Sequence, residues 1–143
     1  MSIISDRQFR PTNKTQMRTL TDHKLNGLND ELDITVIDAP GQGGACHVYQ
    51  IAYNLNPGTN AGGTNPMCRI EFQNGPIKEA GVNGISGEAM LAIVIDRLRS
   101  FQAGQYACYE NANALTALET SLMWLQKRTR DRTARGVEGT HIK

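Results

Sequence analysis

Residues 86–135 decide the fold, and they read SGEAMLAIVIDRLRSFQAGQYACYENANALTALETSLMWLQKRTRDRTAR. Apolar residues recur at helical spacing in two segments of this stretch, separated by a short polar link. Ser86 is typical of a helix N-cap, and Glu88 lies in the first turn, where the helix dipole favours a carboxylate. Gly104 is a typical helix stop. The apolar positions of the first segment are Met90, Leu91, Val94, Ile95, Leu98 and Phe101.

The second segment predicts a helix from about Tyr109 to Arg135 that ends at Gly136. Its apolar stripe consists of Leu115, Leu118, Leu122 and Leu125. Because the link between the two helices is short, we expect them to pack antiparallel as an αα-hairpin.

Upstream of the hairpin, three β-branched, partly alternating runs predict strands at 32–38, 45–54 and 67–73. Clusters of Gly, Pro and Asn separate them, as expected for turns. The sequence therefore predicts an α+β fold in which a small antiparallel β-meander precedes the C-terminal antiparallel αα-hairpin. We expect a β-sheet over residues 32–74 and a helical hairpin domain over residues 75–143.

Residues 1–31 are polar and weakly patterned, and we expect them to be weakly structured or to form a short helix. Leu20, Leu25 and Leu28 are compatible with one or two helical turns.

Composition narrows the class of protein. Of the 143 residues 39% are apolar and 6% aromatic, a lean core that oligomer contacts would help to complete. The formal net charge of +1 gives no indication of a nucleic-acid or membrane partner. No run approaches the roughly 20 apolar residues of a membrane span, and the N-terminus is too polar for a signal peptide. The cysteines lack zinc spacing and fit reduced thiols, so we expect a cytoplasmic protein without metal or cofactor.

The densest charge feature is the end of the second helix, with Lys127, Arg128, Arg130, Arg132 and Arg135. Arg128, Arg132 and Arg135 share one helical face, and planar guanidinium groups suit phosphate binding. The alternative is a set of solvated cations that complement the helix C-terminus.

Three further side chains have both a structural and a functional interpretation. Phe101 and Trp124 are typical core or interface residues, yet each offers a face on which a base can stack. Asn111 lies at the start of the second helix, where it either caps the helix or binds a base edge or ribose.

Catalytic patterns are absent from the sequence. The three histidines are isolated, and no nucleophile, metalloprotease or paired-carboxylate motif occurs. The segment PGQGGACH lacks the spacing of a phosphate-binding loop and is typical of a hairpin turn. We therefore expect a binding protein rather than an enzyme.

Two motifs carry a resemblance. The hairpin turn reads FQAGQYACYENANAL from Phe101 to Leu115, and the chain continues with KRTRDRTARGVEGT from Lys127 to Thr140. Both resemble the helical hairpin shared by the phage Thoeris anti-defence proteins of the first type and the anti-CBASS sponges of the second type. The strands before the hairpin are similar to the Thoeris group.

The resemblance implies a sponge that sequesters glycocyclic ADP-ribose, the signal made by TIR enzymes, without cleaving it. It places the pocket aromatic at Phe101, the base- or ribose-contacting amide at Asn111 and the phosphate-binding arginines at Arg128 and Arg132. Some relatives carry an arginine after the Gly-Pro that follows the last strand. Here Ile77 and Lys78 follow Pro76, so Lys78 would supply that contact as a point charge.

The resemblance also implies homo-oligomers in which dimers build hexamers. Such hexamers also hold cyclic trinucleotides at separate sites, for which Arg135, Gly139 and Thr140 are the candidate residues.

Two other functions stay open at the level of the sequence. A phosphodiesterase that cleaves the signal would need a metal site or an acid–base pair, which the sequence does not show. A structural or nucleic-acid-binding phage protein would use the basic end of the second helix, and it would require a longer basic stripe to bind a duplex.

Overall fold

A computed structural model describes residues 17–55 and 64–143 of the chain. The described residues form two compact units, one from residues 17–39, 49–55 and 64–68 and the other from residues 40–48 and 69–143. Of the N-terminal segment predicted over residues 1–31, residues 1–16 lie outside the described residues. The sequence-based boundaries at residues 31 and 74 stay a prediction.

The antiparallel sheet has four strands in the order β1-β2-β3-β4, which confirms the predicted α+β class and the meander. The register places Ile34 of β2 between Leu20 of β1 and Ile51 of β3. Val36 and Ala52 are both buried, and because Val36 pairs with Tyr49 and Ala52 with Asp33, their side chains lie on opposite faces of the sheet. The strands are β1 Arg18–Leu20, β2 Leu32–Val36, β3 Val48–Asn54 and β4 Thr64–Glu71.

The number of strands and their ends differ from the prediction. The helical turn predicted at Leu20 is wrong, because Leu20 ends strand β1, whereas a single helical turn, α1, does form at Leu28–Glu31. Strand β3 begins at Val48 and not at residue 45, because the Ala45 carbonyl accepts a hydrogen bond from the Gly41 N–H (2.8 Å) and closes a loop. Gln42–Gly44 form one 3-10 turn in that loop.

The C-terminal unit contains a short helix, α2 (Ile77–Ala80), and the two long helices α3 (Gly87–Gln102) and α4 (Tyr109–Ala134). Both predicted helices are confirmed, as is the Ser86 cap, whose Oγ accepts a hydrogen bond from the Ala89 N–H at 3.1 Å. Helix α4 ends at Ala134, and Gly136, which follows the C-cap Arg135, adopts a φ of 71° that favours glycine.

The turn of the hairpin is closed by two reciprocal hydrogen bonds. The Cys108 N–H donates to Gln102 Oε1 (3.0 Å), and Gln102 Nε2 donates to the Cys108 carbonyl (3.2 Å). The Cys108 thiol also caps α4 by accepting from the Asn111 N–H at 3.4 Å. Asn111 is therefore not the cap, which leaves its side-chain amide available.

The hairpin buries little of its apolar surface. Ile95 is the one fully buried side chain of α3, and none of the α4 residues is fully buried. The leucine stripe of α4 is half-buried, while Ile93 and Trp124 are 59% and 61% exposed. An ion pair between Arg99 and Glu119 (3.0 Å) joins the two helices at their surface. Such exposed apolar side chains are typical of a surface that meets another chain.

Within the described residues, none of the helices has the length and apolar character needed to cross a membrane.

Candidate anion-binding site

The basic end of α4 contains cations with different surroundings. Lys127 pairs with Asp131 at 2.6 Å, one helical turn away, and this hydrogen bond lowers the pKa of the Asp131 carboxyl. Arg135 donates one hydrogen bond to the Lys143 carbonyl at 3.0 Å. Both contacts stay within the chain, so these side chains are partly engaged before any ligand arrives.

Arg132 is engaged most fully. Its Nε donates to Glu138 Oε2 at 2.9 Å, and its two terminal nitrogens donate to the carbonyls of Val137 (3.0 Å), Thr140 (2.8 Å) and Ile142 (2.8 Å). The side chain is only 22% exposed. In this arrangement the guanidinium fastens the C-terminal segment, defined as residues 137–143, to the end of α4.

Arg128 and Arg130 are the two cations of this helix end that donate no hydrogen bond within the described part of the chain. Arg128 is 66% exposed, and its nearest carboxylate oxygen, Glu88 Oε1, lies 3.9 Å away, beyond hydrogen-bonding distance. Among the residues that the structure describes, neither guanidinium donates a hydrogen bond. Arg130 was predicted as part of the basic cluster and not as a site residue.

A cavity of about 860 Å³ lies beside Arg128. This volume falls in the range of small-molecule sites, and the wall mixes apolar side chains with a few charged ones, as such sites do. The charged residues of the wall are Glu88, Arg128, Arg130 and Glu138, and its larger apolar residues are Phe72, Ile77 and Ile85.

Two smaller cavities also open onto Arg128. One, of about 460 Å³, lies between Trp124, Arg132 and Arg135. The other, of about 430 Å³, is lined by Thr140 and His141 of the C-terminal segment. Arg128 is therefore at the junction of three concave surfaces, the position expected of a cation that binds an anionic ligand.

The C-terminal segment also packs on α2. The Lys78 N–H donates to the Gly139 carbonyl at 3.0 Å, and a Cβ at Gly139 would lie 3.0 Å from Ile77 Cγ1. His141 Nδ1 lies 2.7 Å from Glu79 Oε1, and this hydrogen bond lowers the pKa of the Glu79 carboxyl.

These contacts concern the residues predicted for the trinucleotide site and Lys78, the predicted additional phosphate contact. Thr140 Oγ1 donates to the Val137 carbonyl at 2.6 Å, so Thr140 and Gly139 both have internal packing roles. The trinucleotide site at Arg135, Gly139 and Thr140 stays a prediction. Lys78 is exposed and, unlike its neighbour Ile77, does not line the 860 Å³ cavity.

Phe101 lies at the other end of the hairpin, in a small aromatic and cationic cluster. The Tyr106 ring packs edge-on against it with centroids 6.4 Å apart, and the Arg97 guanidinium carbon lies 5.3 Å from the Phe101 ring centroid. Arg97 and Tyr106 were not predicted as site residues from the sequence. The spacing of Arg97 and Phe101, one helical turn, is the signal that could have identified the first.

The two halves of the predicted site are far apart within one chain. Asn111 is in the first turn of α4 and Arg128 is near its other end, which separates them by about 25 Å along the helix axis. The structure therefore brings Arg128 and Arg132 together at one end, and Phe101 and Asn111 at the other. A single chain does not place all four around one small ligand.

Among the described residues, no group of three or more His, Cys, Asp or Glu side chains is arranged to hold a metal ion.

The sequence around this site matches known proteins. Residues 65–130 match the family model described as the Acb2/Tad1 hairpin domain. A 77-residue stretch is 52% identical to the protein named Thoeris anti-defense 1 from Bacillus phage SBSphiJ7. That match covers 54% of this chain and 54% of the relative, so the chain spans about half the length of the curated relative it matches. The family match contains Arg128 and ends before Arg132.

Proposed function

We propose that this protein is a phage anti-defence sponge, because residues 65–130 match the Acb2/Tad1 hairpin domain and 54% of the chain aligns at 52% identity with a protein named Thoeris anti-defense 1. Both matches agree with the resemblance to the Thoeris anti-defence proteins. It binds glycocyclic ADP-ribose in the cytoplasm of the host and holds it intact, so that the signal does not reach the host's effector. The observation that carries the proposal is the Arg128 guanidinium, which faces a cavity of ligand size with its donors unused.

The phosphates of the ligand bind at the basic end of α4. Arg128 supplies a planar fork that matches two phosphate oxygens, and Arg130 lines the same cavity with a second free fork. Each charge-assisted hydrogen bond contributes roughly 1.5–3 kcal/mol. The other cations of this helix end are engaged within the chain, which favours a compact ligand at Arg128 over a nucleic acid along the helix.

The purine, with the ribose attached to it, binds at Phe101 and Asn111, which a second copy of the chain provides. Two hairpins packed antiparallel bring the Phe101 end of one against the Arg128 end of the other. A two-fold dimer of this kind creates two identical sites. The exposed Ile93 and Trp124 supply apolar area for the contact.

Sequestration requires no bond to break. Signalling stops when the protein is more abundant than the signal and its dissociation constant lies below the signal's working concentration. The assembly of dimers into hexamers and the capture of cyclic trinucleotides follow from the resemblance to the family and belong to the same proposal.

The test is a calorimetric titration of the protein with glycocyclic ADP-ribose, followed by denaturation of the complex and analysis of the released ligand. The proposal expects saturable binding and recovery of the unaltered ligand. An altered product would identify an enzyme, and no binding would remove the sponge function.

Arg128→Ala tests whether the Arg128 guanidinium binds the ligand, and Lys127→Ala is its matched control. Lys127 is a neighbouring exposed cation whose charge is already paired with Asp131. Arg128→Ala should weaken binding by about 10- to 100-fold, as expected for the loss of one charged hydrogen bond. Lys127→Ala should bind as the wild type does, and equal losses in both variants would indicate a diffuse charge effect.

A further inference from the structure

We propose that Glu88 recognises a ribose hydroxyl and thereby makes the Arg128 cavity selective for a nucleotide over a bare phosphate or pyrophosphate. This inference rests on the proposed function and assigns the sugar specificity of the same site.

Glu88 is positioned to accept hydrogen bonds from a ligand. Its side chain is 27% exposed, lies in the first turn of α3 and lines the 860 Å³ cavity with Arg128. Among the described residues, no group donates a hydrogen bond to its carboxylate, and the Arg128 nitrogen at 3.9 Å is too distant to do so. The other carboxylate of the wall, Glu138, already accepts from Arg132 at 2.9 Å. Of the two carboxylates in the described cavity wall, Glu88 is therefore the one that accepts no hydrogen bond.

A stabilising ion pair does not account for the position of Glu88. Its partner Arg128 is two-thirds exposed, and pairs of this length and exposure contribute little to stability. A carboxylate beside the proposed phosphate contact also has an electrostatic cost, because it repels the anion that Arg128 attracts. The pair is thus poorly suited to a site that evolved to hold a simple anion.

The pair is well suited to a ligand that carries a phosphate and a ribose side by side. Arginine donates hydrogen bonds and accepts none, whereas an ionised carboxylate accepts and donates none. Phosphate oxygens require donors, and ribose hydroxyls are the donors that a carboxylate binds, as acidic residues do in dinucleotide sites. An adjacent Arg and Glu therefore match the two chemical groups of an ADP-ribose-type ring.

The test compares two probes, glycocyclic ADP-ribose and inorganic pyrophosphate, on the wild type and on Glu88→Gln. Loss of the carboxylate should weaken binding of the cyclic ligand by about tenfold, since a charged acceptor is lost. The same change should strengthen binding of pyrophosphate severalfold, since a repulsive charge is removed. Opposite signs for the two probes are the result that supports the inference.

Two further variants make the result unambiguous. Glu88→Asp keeps the negative charge but moves the carboxylate away from the cavity. It should weaken binding of the cyclic ligand without strengthening binding of pyrophosphate. Glu119→Gln is the control, because Glu119 is an exposed carboxylate paired with Arg99 and lines none of the cavities around Arg128.

The outcomes separate this inference from the proposed function. Normal binding of the cyclic ligand by the wild type, with Glu88→Gln unchanged for both probes or weakened for both, overturns the role of Glu88 alone. Failure of the wild type to bind the cyclic ligand overturns the proposed function, and the ribose assignment with it.

Discussion

Arg132 donates its Nε–H to the Glu138 carboxylate at 2.9 Å, and its terminal nitrogens hold three carbonyls of the C-terminal segment. Arg128 and Arg132, which the sequence places on one face of α4, therefore differ in how many hydrogen bonds they donate within the protein. Arg128 donates no hydrogen bond within the described residues, whereas Arg132 uses four of its five N–H donors within the protein. A phosphate that accepted more than one hydrogen bond from Arg132 would have to replace contacts that already exist.

Substitution of Arg132 by Ala should therefore lower the stability of the protein. Four hydrogen bonds to a charged and largely buried guanidinium are lost, and we expect the free energy of unfolding to fall by about 2–3 kcal/mol. Urea denaturation followed by circular dichroism measures this change. Arg135→Ala is the matched control, because it removes one exposed hydrogen bond to Lys143 and should change stability by less than about 0.5 kcal/mol.

The opposite result would support the phosphate-binding role that the resemblance implies for Arg132, which stays a prediction. An Arg132→Ala protein with unchanged stability and strongly reduced affinity for glycocyclic ADP-ribose would show that the guanidinium serves the ligand.

Gly139→Ala should loosen the packing of the C-terminal segment on α2. Gly139 is buried and has a φ of 75°, a conformation that costs an L-residue roughly 1–2 kcal/mol. A methyl group would also approach Ile77 Cγ1 at 3.0 Å and Lys78 Cγ at 3.1 Å. Thermal unfolding should show a lower midpoint. Gly136→Ala, which has the same backbone strain and open space around it, isolates the cost of the contact.

The contact between His141 and Glu79 should make stability depend on pH in the acidic range. The hydrogen bond from His141 lowers the pKa of Glu79 in the folded protein below its ordinary value of 4.5. A group whose pKa is lowered on folding stabilises the protein above its unfolded-state pKa, and this contribution disappears as the pH falls through the folded-state pKa.

His141→Ala removes the cause of that shift and is the variant to compare. At neutral pH it should be slightly less stable than the wild type, and the difference should shrink as the pH falls from about 6 to about 3. A difference in the free energy of unfolding that stays constant over this range would contradict the assignment. The magnitude should be small, because both side chains are exposed.

How much of this could be predicted from the sequence depends on the range of each interaction. The hairpin was predictable because its caps and apolar spacing are local signals, and Ser86 and Gly136 act as their residue types indicate. Strand β1 was missed because three residues, Arg18–Leu20, contain no measurable alternation and are defined by pairing with β2. Whether a residue near a strand end, such as Ala45, belongs to the strand depends on loop hydrogen bonds, which the local sequence pattern does not reveal.

The candidate site shows the same limit. The hydrogen bonds from Arg132 to the C-terminal segment were not predictable, because three of the four acceptors are backbone carbonyls, which every sequence contains. The separation of Asn111 from Arg128 was predictable in principle, since the helix rise alone places them about 25 Å apart. Residues that share a function in one sequence motif need not share a site in one chain.

That separation leads to a test of the two-copy site by mixing variants. Phe101→Ala and Arg128→Ala should each bind the cyclic ligand poorly, because every site in either homodimer lacks one half. When the two proteins are unfolded together and refolded as an equal mixture, half of the dimers contain one chain of each kind. Each such dimer has one intact site and one doubly altered site, so about a quarter of all sites should bind with wild-type affinity.

The matched control mixes Phe101→Ala with Asn111→Ala, whose changes fall in the same half of the site. Every site of that mixed dimer carries one altered residue, so mixing should restore nothing. A site contained within one chain predicts no restoration in either mixture, because each chain would carry its own defect wherever it assembled. Recovery in the first mixture and not in the second thus requires Phe101 of one copy to meet Arg128 of another, the geometry that the length of α4 demands.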